Sequence, residues 1–293
     1  MPQNPSDRSA STAYHATPTS NGYPAKIKPA IPSSRSLHDV CLDIGSKVDR
    51  FLAEEPGTAL LRNVQARVLE AMGVINETFQ RYEPREISLS YNGGKDCLVL
   101  LIIILASLAH RHPRPNKNKS PEPQNGSLDF TTPPKKIQAV YIVSPHPFSE
   151  IDDFVASSSA EYQLDVTRYE LGMKQGLKAY LADRPDIKAI FVGTRRTDPH
   201  GEKLTHFDPT DGGWPDFMRV HPVIDWHYAE IWAFIRHLEI PYCPLYDQGY
   251  TSLGGTKDTQ PNPNLKKQGD DGSGFLPAYI LEGDDEERLG RDK

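Results

Sequence analysis

Residues 90–97 read Ser-Tyr-Asn-Gly-Gly-Lys-Asp-Cys, between an apolar run at Ile87–Leu89 and a longer one at Leu98–Ala109. The two glycines let the backbone approach an anion closely and adopt angles that a Cβ forbids. The N–H groups of a helix starting here would face that anion, and the helix dipole favours negative charge at that end. Lys95 adds a cation to the loop. Asp96 adds a carboxylate of the kind that holds Mg²⁺ beside phosphates. The segment is not a Walker A loop, because position 89 is Leu and Asp follows the lysine. Taken alone, it reads equally as an ordinary Asn-Gly turn with a helix-start carboxylate.

The pattern around this loop is strand, helix, strand. Ile87–Ser90 leads into the loop and an apolar helix. Ile137–Val143 is a second strand and Ser149–Tyr162 a helix. Asp165–Tyr169, a helix over Met173–Leu181 and a fourth strand at Lys188–Val192 follow. Such alternation predicts an α/β fold of three layers, a mostly parallel sheet with helices on both faces. Ligands then bind beyond the carboxyl ends of the strands, where the glycine loop and the 193–199 loop would meet. Two amphipathic helices, His38–Glu54 and Thr58–Tyr82, precede the sheet as an N-terminal helical extension. Residues 1–35 are rich in Ser, Thr, Pro and Asn and cannot build a core. The polar, Pro-rich stretch 113–134 has the composition of a disordered insertion. One domain over 36–291 is therefore expected.

A second dense region begins at Gly-Thr-Arg-Arg-Thr-Asp-Pro (193–199). It continues with Phe-Asp-Pro-Thr-Asp-Gly-Gly-Trp-Pro-Asp-Phe-Met-Arg-Val (207–220), Pro-Val-Ile-Asp-Trp (222–226) and Pro-Tyr-Cys-Pro-Leu-Tyr-Asp-Gln-Gly-Tyr-Thr-Ser-Leu-Gly (241–254). The glycine loop resembles the PP-loop of ATP pyrophosphatases, which cleave ATP between its α and β phosphates. The later blocks, in this order, resemble the eukaryotic FAD synthetases (FMN adenylyltransferases) of the single-domain fungal type, which share the PAPS-reductase-like fold within the adenine nucleotide alpha hydrolase-like class. The resemblance covers roughly residues 40–110 and 137–291.

That resemblance implies transfer of AMP from MgATP to the phosphate of FMN, giving FAD and pyrophosphate. An FMN phosphate with a second pKa of about 6 is already a dianionic nucleophile at neutral pH. No general base is needed, and none stands out. Catalysis should rest on alignment and positive charge. Ser90, Tyr91, Asn92, Gly93, Gly94, Lys95, Asp96, Gly193, Arg195 and Arg196 would bind ATP. Asn92, Lys95, Arg195 and Arg288 would act directly on the reacting groups. Asp211, Trp214, Arg219, Arg288 and Arg291 would bind FMN, with Trp214 a platform for the flavin ring. Asp96 and Asp198 would hold Mg²⁺. Against these stand blander readings: an Asp-Pro turn at 198, a loop anchor at Trp214, and a last helix whose arginines pair with Glu286 and Glu287. Trp226, Tyr228 and Trp232 read as core.

The bulk numbers exclude some classes. A net charge of −6 in 293 residues argues against a nucleic-acid binder. The run from Cys97 to Ala109 is too short to span a bilayer. Cys41, Cys97 and Cys243 form no CxxC pair, which suits a reducing compartment. We expect a monomer acting on small molecules in the cytoplasm. The tail is Ser/Thr-rich and poor in acids, which leaves room for a mitochondrial fraction, but its prolines work against a targeting helix. Members carrying a second, molybdopterin-binding-like domain are larger, so that domain's activity is not expected. A PAPS-reductase-type or tRNA-thiolating enzyme would share the loop, but such sulfur chemistry uses a reactive cysteine, and Cys243 has no partner. A non-catalytic flavin-binding module would not need Lys95, Asp96, Arg195 and Asp198 intact. His200, His206, His221 and His227 show no metal-ligand spacing.

Overall fold

A computed structural model describes residues 35–112, 134–268 and 274–291. The tail through residue 34 and residues 113–133 of the insertion lie outside the described residues. Helix α1 (Leu37–Ala53) starts at Ser36, whose Oγ accepts from the Asp39 N–H. Helix α2 (Ala59–Arg81) starts at Thr58, whose hydroxyl accepts from the Leu61 N–H. Each such cap is worth about 1 kcal/mol.

Strand β1 (Ile87–Ser90) leads through the glycine loop into α3 (Lys95–Arg111), followed by β2 (Ile137–Ile142) and α4 (Ser149–Glu161). Then come β3 (Leu164–Tyr169), α5 (Met173–Asp183), β4 (Ala189–Phe191), β5 (Phe207–Pro209), β6 (Met218–Val220) and α6 (Tyr228–His237). The sheet order is β3-β2-β1-β4-β6-β5, parallel except for β5, which runs antiparallel to β6. The chain builds outward from β1 in one direction, then returns to β4 on its other side. The β1/β4 junction is thus the switch point where a crevice opens beyond the strand ends.

Strand alternation sorts the two faces. Leu89, Ala139 and Phe191 pack into the core with α1, α2, α3, α4 and α6. Val140 and Ile190 face α5, meeting Leu177, Tyr180 and Phe217. Helix α3 is buried along nearly its whole length, from Cys97 through Ala109. That explains its apolar composition on every side. Among the described residues no helix is long and apolar enough to cross a membrane.

Strands β5 and β6 add to the sequence reading, which ended its strands at Val192 and placed only Trp214, between them, on a loop. Each has three residues in a Pro-, Gly- and Asp-rich stretch, too short to display a two-residue period. Pro209 is tolerated because β5 is the edge strand.

Candidate active site

The loop after β1 is shaped by its glycines and by Asn92. Gly93 adopts φ +73°, a left-handed conformation that side chains disfavour. The Gly94 N–H donates to Asn92 Oδ1 at 3.1 Å, and the Cys97 thiol contacts the same oxygen at 3.1 Å. With its oxygen turned inward, the exposed Asn92 carboxamide presents its NH₂ outward. The Lys95 N–H donates to the Tyr246 hydroxyl at 2.9 Å. Gly193, after β4, lies so close to this loop that a Cβ would sit 2.9 Å from the Cys97 nitrogen. Only glycine lets the two loops touch. The cleft between them encloses about 280 Å³. Ser90, Asn92, Gly94, Lys95, Asp96 and Cys97 line one side, and Gly193, Thr194 and Asp198 the other.

Beneath the cleft is a buried ion cluster. Arg195 is fully buried (0% exposed) and Lys95 nearly so (2%). Arg195 Nε lies 2.9 Å from Asp96 Oδ1, an ion pair without hydrogen-bond alignment, and Nη1 lies 3.4 Å from Asp284. Its Nη2 pairs with Glu287 and approaches Asp198 Oδ1 at 3.6 Å. Lys95 Nζ pairs with Glu287 and with Asp96 Oδ2 at 3.1 Å. Asp284 also accepts the Tyr228 N–H at 2.7 Å and meets His227 Nδ1 at 2.6 Å. Burial opposes ionisation of Asp96, but Arg195 and Lys95 outweigh it and hold its carboxyl below the ordinary value. Asp198 goes the other way: burial first, then the charge of Asp96, push it above the ordinary value despite Arg195. Two carboxylates thus face one crevice, Asp96 held ionised by the two cations and Asp198 with less counter-charge than its burial demands.

Residues 86–261 match the phosphoadenosine phosphosulfate reductase domain family. The probable FAD synthase of Schizosaccharomyces pombe is 39% identical over 241 residues, spanning 82% of this chain and 84% of that one. The flavin adenine dinucleotide synthase of Saccharomyces cerevisiae is 35% identical, over 78% of this chain and 76% of its own. The chain belongs to the FAD synthase family. Its fold matches the crystal structure of Candida glabrata FMN adenylyltransferase in complex with FMN and the ATP analogue AMPCPP, with a TM-score of 0.77 and 28% identity, covering 88% of this chain and 100% of that one. The probable FAD synthase of Caenorhabditis elegans is 34% identical, and this chain spans 45% of its length.

Within this FAD synthase family fold, the C-terminal arginines reach the cleft: Arg288 and Arg291 line it together with Tyr246, Ser252 and Leu253. The helix expected there is instead a run of three-residue turns, with Glu287, Leu289 and Arg291 N–H groups donating three residues back. Glu287 is buried under the phosphate loop instead of lying on a surface helix. Four residues expected to bind ATP lie outside the cleft lining. Arg195 does not line the cleft, since its guanidinium is taken up by four carboxylates below. Arg196 points away, binding Asp225 at 2.6 Å and the Glu202 and Leu204 carbonyls. Tyr91 is buried with its hydroxyl on Ser158 at 2.8 Å. Gly93 packs beneath α4, a built Cβ lying 3.0 Å from Val155.

Asp211, Trp214 and Arg219 form a separate group on the β5–β6 hairpin. Arg219 donates to the Pro209 carbonyl at 2.8 Å and lies 3.5 Å from Asp211. A Cβ built on Gly213 would sit 3.6 Å from Lys174 Nζ, so the loop approaches the start of α5. There Met173 lines the cleft. Trp214 is 39% exposed, whereas Trp226 and Trp232 are core at 2% each.

Sequence reading missed Tyr246, Asp284 and Glu287. Only the family block containing Tyr246 gave any signal, and an acidic tail carries none. It also missed that Glu70, His206 and Asp225 each bring a ligand atom within 4.8 Å of one another. Arg67 and Arg196 already neutralise those carboxylates, so the group is an ion-pair network.

The cysteines make a clear prediction. Burial pushes the Cys41 and Cys97 thiols up to about 12 and Cys243 up to about 11. Thiolate is the reactive form. In the folded protein at pH 8, a chromogenic disulfide reagent should titrate none of the three, and all three after unfolding. A fast-reacting Cys97 would reopen sulfur chemistry.

Proposed function

We propose that this chain adenylylates FMN with ATP, giving FAD and pyrophosphate. The observation that carries the reading is the meeting of the glycine loop, Asp96, Asp198 and the C-terminal arginines at one cleft. An oxygen of the FMN phosphate attacks the α-phosphorus, and the bond to the β-phosphate's bridging oxygen breaks. The electron pair leaves with pyrophosphate. Asn92 NH₂ and the loop backbone would hold the phosphates, and Arg288 and Arg291 would offset charge building at the transferring group. Asp96 and Asp198 are a pair of hard oxygen donors lining one cleft, and Asp198 is incompletely neutralised by its neighbours, which fits Mg²⁺. When bound, Mg²⁺ supplies further neutralisation of the triphosphate.

Met173 lines both the cleft and a second cavity of about 510 Å³ beyond β2 and β3, bounded by Val143, Pro145, Arg168 and Leu171. We assign the adenosine half of ATP to that side and the flavin to the Trp214 side. Trp214→Ala should raise the KM for FMN about tenfold while leaving the KM for ATP and the melting temperature near those of the parent. A change in both KM values would sink the assignment.

The reading itself is tested by incubating the protein with MgATP and FMN and separating the products. FAD and pyrophosphate in equal amounts are expected; FMN binding without FAD would leave a flavin-binding module. We further propose a cytoplasmic monomer, to be checked by fractionation and light scattering.

A further inference from the structure

Glu287 joins the C-terminal segment to both cations of the cluster. It is 5% exposed, one carboxylate oxygen accepting from Lys95 Nζ and the other from Arg195 Nη2. The same two cations also touch Asp96 and Asp198, at 3.1, 2.9 and 3.6 Å. Lys95 and Arg195 are two cations facing four carboxylates, Asp96, Asp198, Asp284 and Glu287, with the His227 ring also against Asp284. Glu287 lies farthest from solvent among the four. The other three have side chains 22–23% exposed, against 6% for Glu287.

We propose that Glu287 is a positioning residue for the divalent cation. Its carboxylate holds Lys95 and Arg195 from below, so that Asp96 and Asp198 keep negative charge facing the cleft. Without that carboxylate, the two cations would neutralise the cleft-facing pair themselves. This rests on the reading that Asp96 and Asp198 hold Mg²⁺.

The backbone at this point is anchored independently of the carboxylate. Thr251 Oγ1 donates to the Glu287 carbonyl at 2.6 Å. Asn262 Nδ2 donates to Thr251 Oγ1 at 3.0 Å and to the Glu286 carbonyl at 2.8 Å. Glu287→Gln therefore changes charge while the segment stays tied down.

The test is Mn²⁺ binding to the full chain without nucleotide, following the free ion by its paramagnetic resonance signal. Glu287→Gln should weaken Mn²⁺ binding about tenfold, since one unit of nearby negative charge is lost. The double variant Lys95→Met with Glu287→Gln restores the charge balance and should return affinity to within about threefold of the parent. Glu287→Asp keeps the charge and should also stay within about threefold, which covers the case of a Gln variant that does not fold. Unchanged affinity in a folded Glu287→Gln, or a tenfold loss in Glu287→Asp or the double variant, overturns the proposal. Asp198→Ala separates the two levels. If it weakens Mn²⁺ while Glu287→Gln does not, only the role of Glu287 falls. If Asp198→Ala leaves Mn²⁺ unaffected, the metal reading falls and this inference with it.

Discussion

Arg195→Ala should melt roughly 10 °C below the parent, or fail to accumulate as folded protein. The guanidinium is fully buried and pairs with Asp96, Asp198, Asp284 and Glu287. Removing one partner of a buried ionic group leaves uncompensated charge and costs about 3–5 kcal/mol. Each kcal/mol lowers the melting point by roughly 2–4 °C in a chain of about this size. Lysine is a poor substitute, because an ammonium is a point charge and cannot fork across four carboxylates. The pH dependence has a definite sign. Burial and the charge of Asp96 already raise the Asp198 carboxyl, and loss of Arg195 raises it further. A group whose folded pKa is raised takes up a proton more readily in the folded state. Stability is therefore regained as pH falls through that folded value. The deficit of Arg195→Ala should shrink as pH is lowered from neutral into the acid range. Calorimetric melts across that range check it; a small deficit, or one that ignores pH, would mean the cluster is solvated and weak.

The second large effect separates stability from activity. Asp198→Asn should abolish FAD formation, by at least about a thousandfold, yet melt no lower than the parent in the absence of metal. Asn keeps an oxygen to accept the Arg195 N–H, which Asp198 Oδ2 accepts at 2.8 Å. What it removes is a charge that the free protein carries unfavourably, as the raised pKa shows. A half-buried carboxylate kept at such a cost is what a site poised for a cation requires, and functional sites often trade stability in this way. FAD chromatography and calorimetry on the same preparation decide it. A variant that still makes FAD would remove Asp198 from the reaction. One that loses both activity and stability would make it a structural residue.

Arg195 and Asp198 also mark where reading the sequence stops. Much of what is local was legible: the glycine turn at Gly93 and Gly94 with a helix start beside it, the two N-terminal helices, and the four parallel strands. These depend on residues within a few positions of one another, so spacing along the chain encodes them. The order of the blocks carried the family. The three-residue strands β5 and β6 were not legible, because β6 is fixed by pairing with β4 and β5 by pairing with β6, not by any period of their own.

Nor could the sequence say which cations face substrate. Arg195 and Arg196 are neighbours of the same type, yet one is buried among carboxylates and the other clamps Asp225 at the surface. Arg288, in an acidic tail, reaches the cleft beside Glu287, which turns inward to Lys95 across 192 residues. Charge in a chain is a local property, but its burial and its partners are set by which segments the fold brings together. The sequence by itself determined a phosphate-binding loop at the end of a parallel strand and the family it belongs to. Only the tertiary structure decided which charges are spent holding that loop and which are left to meet a ligand, because ion pairing falls off with distance in space and not along the chain.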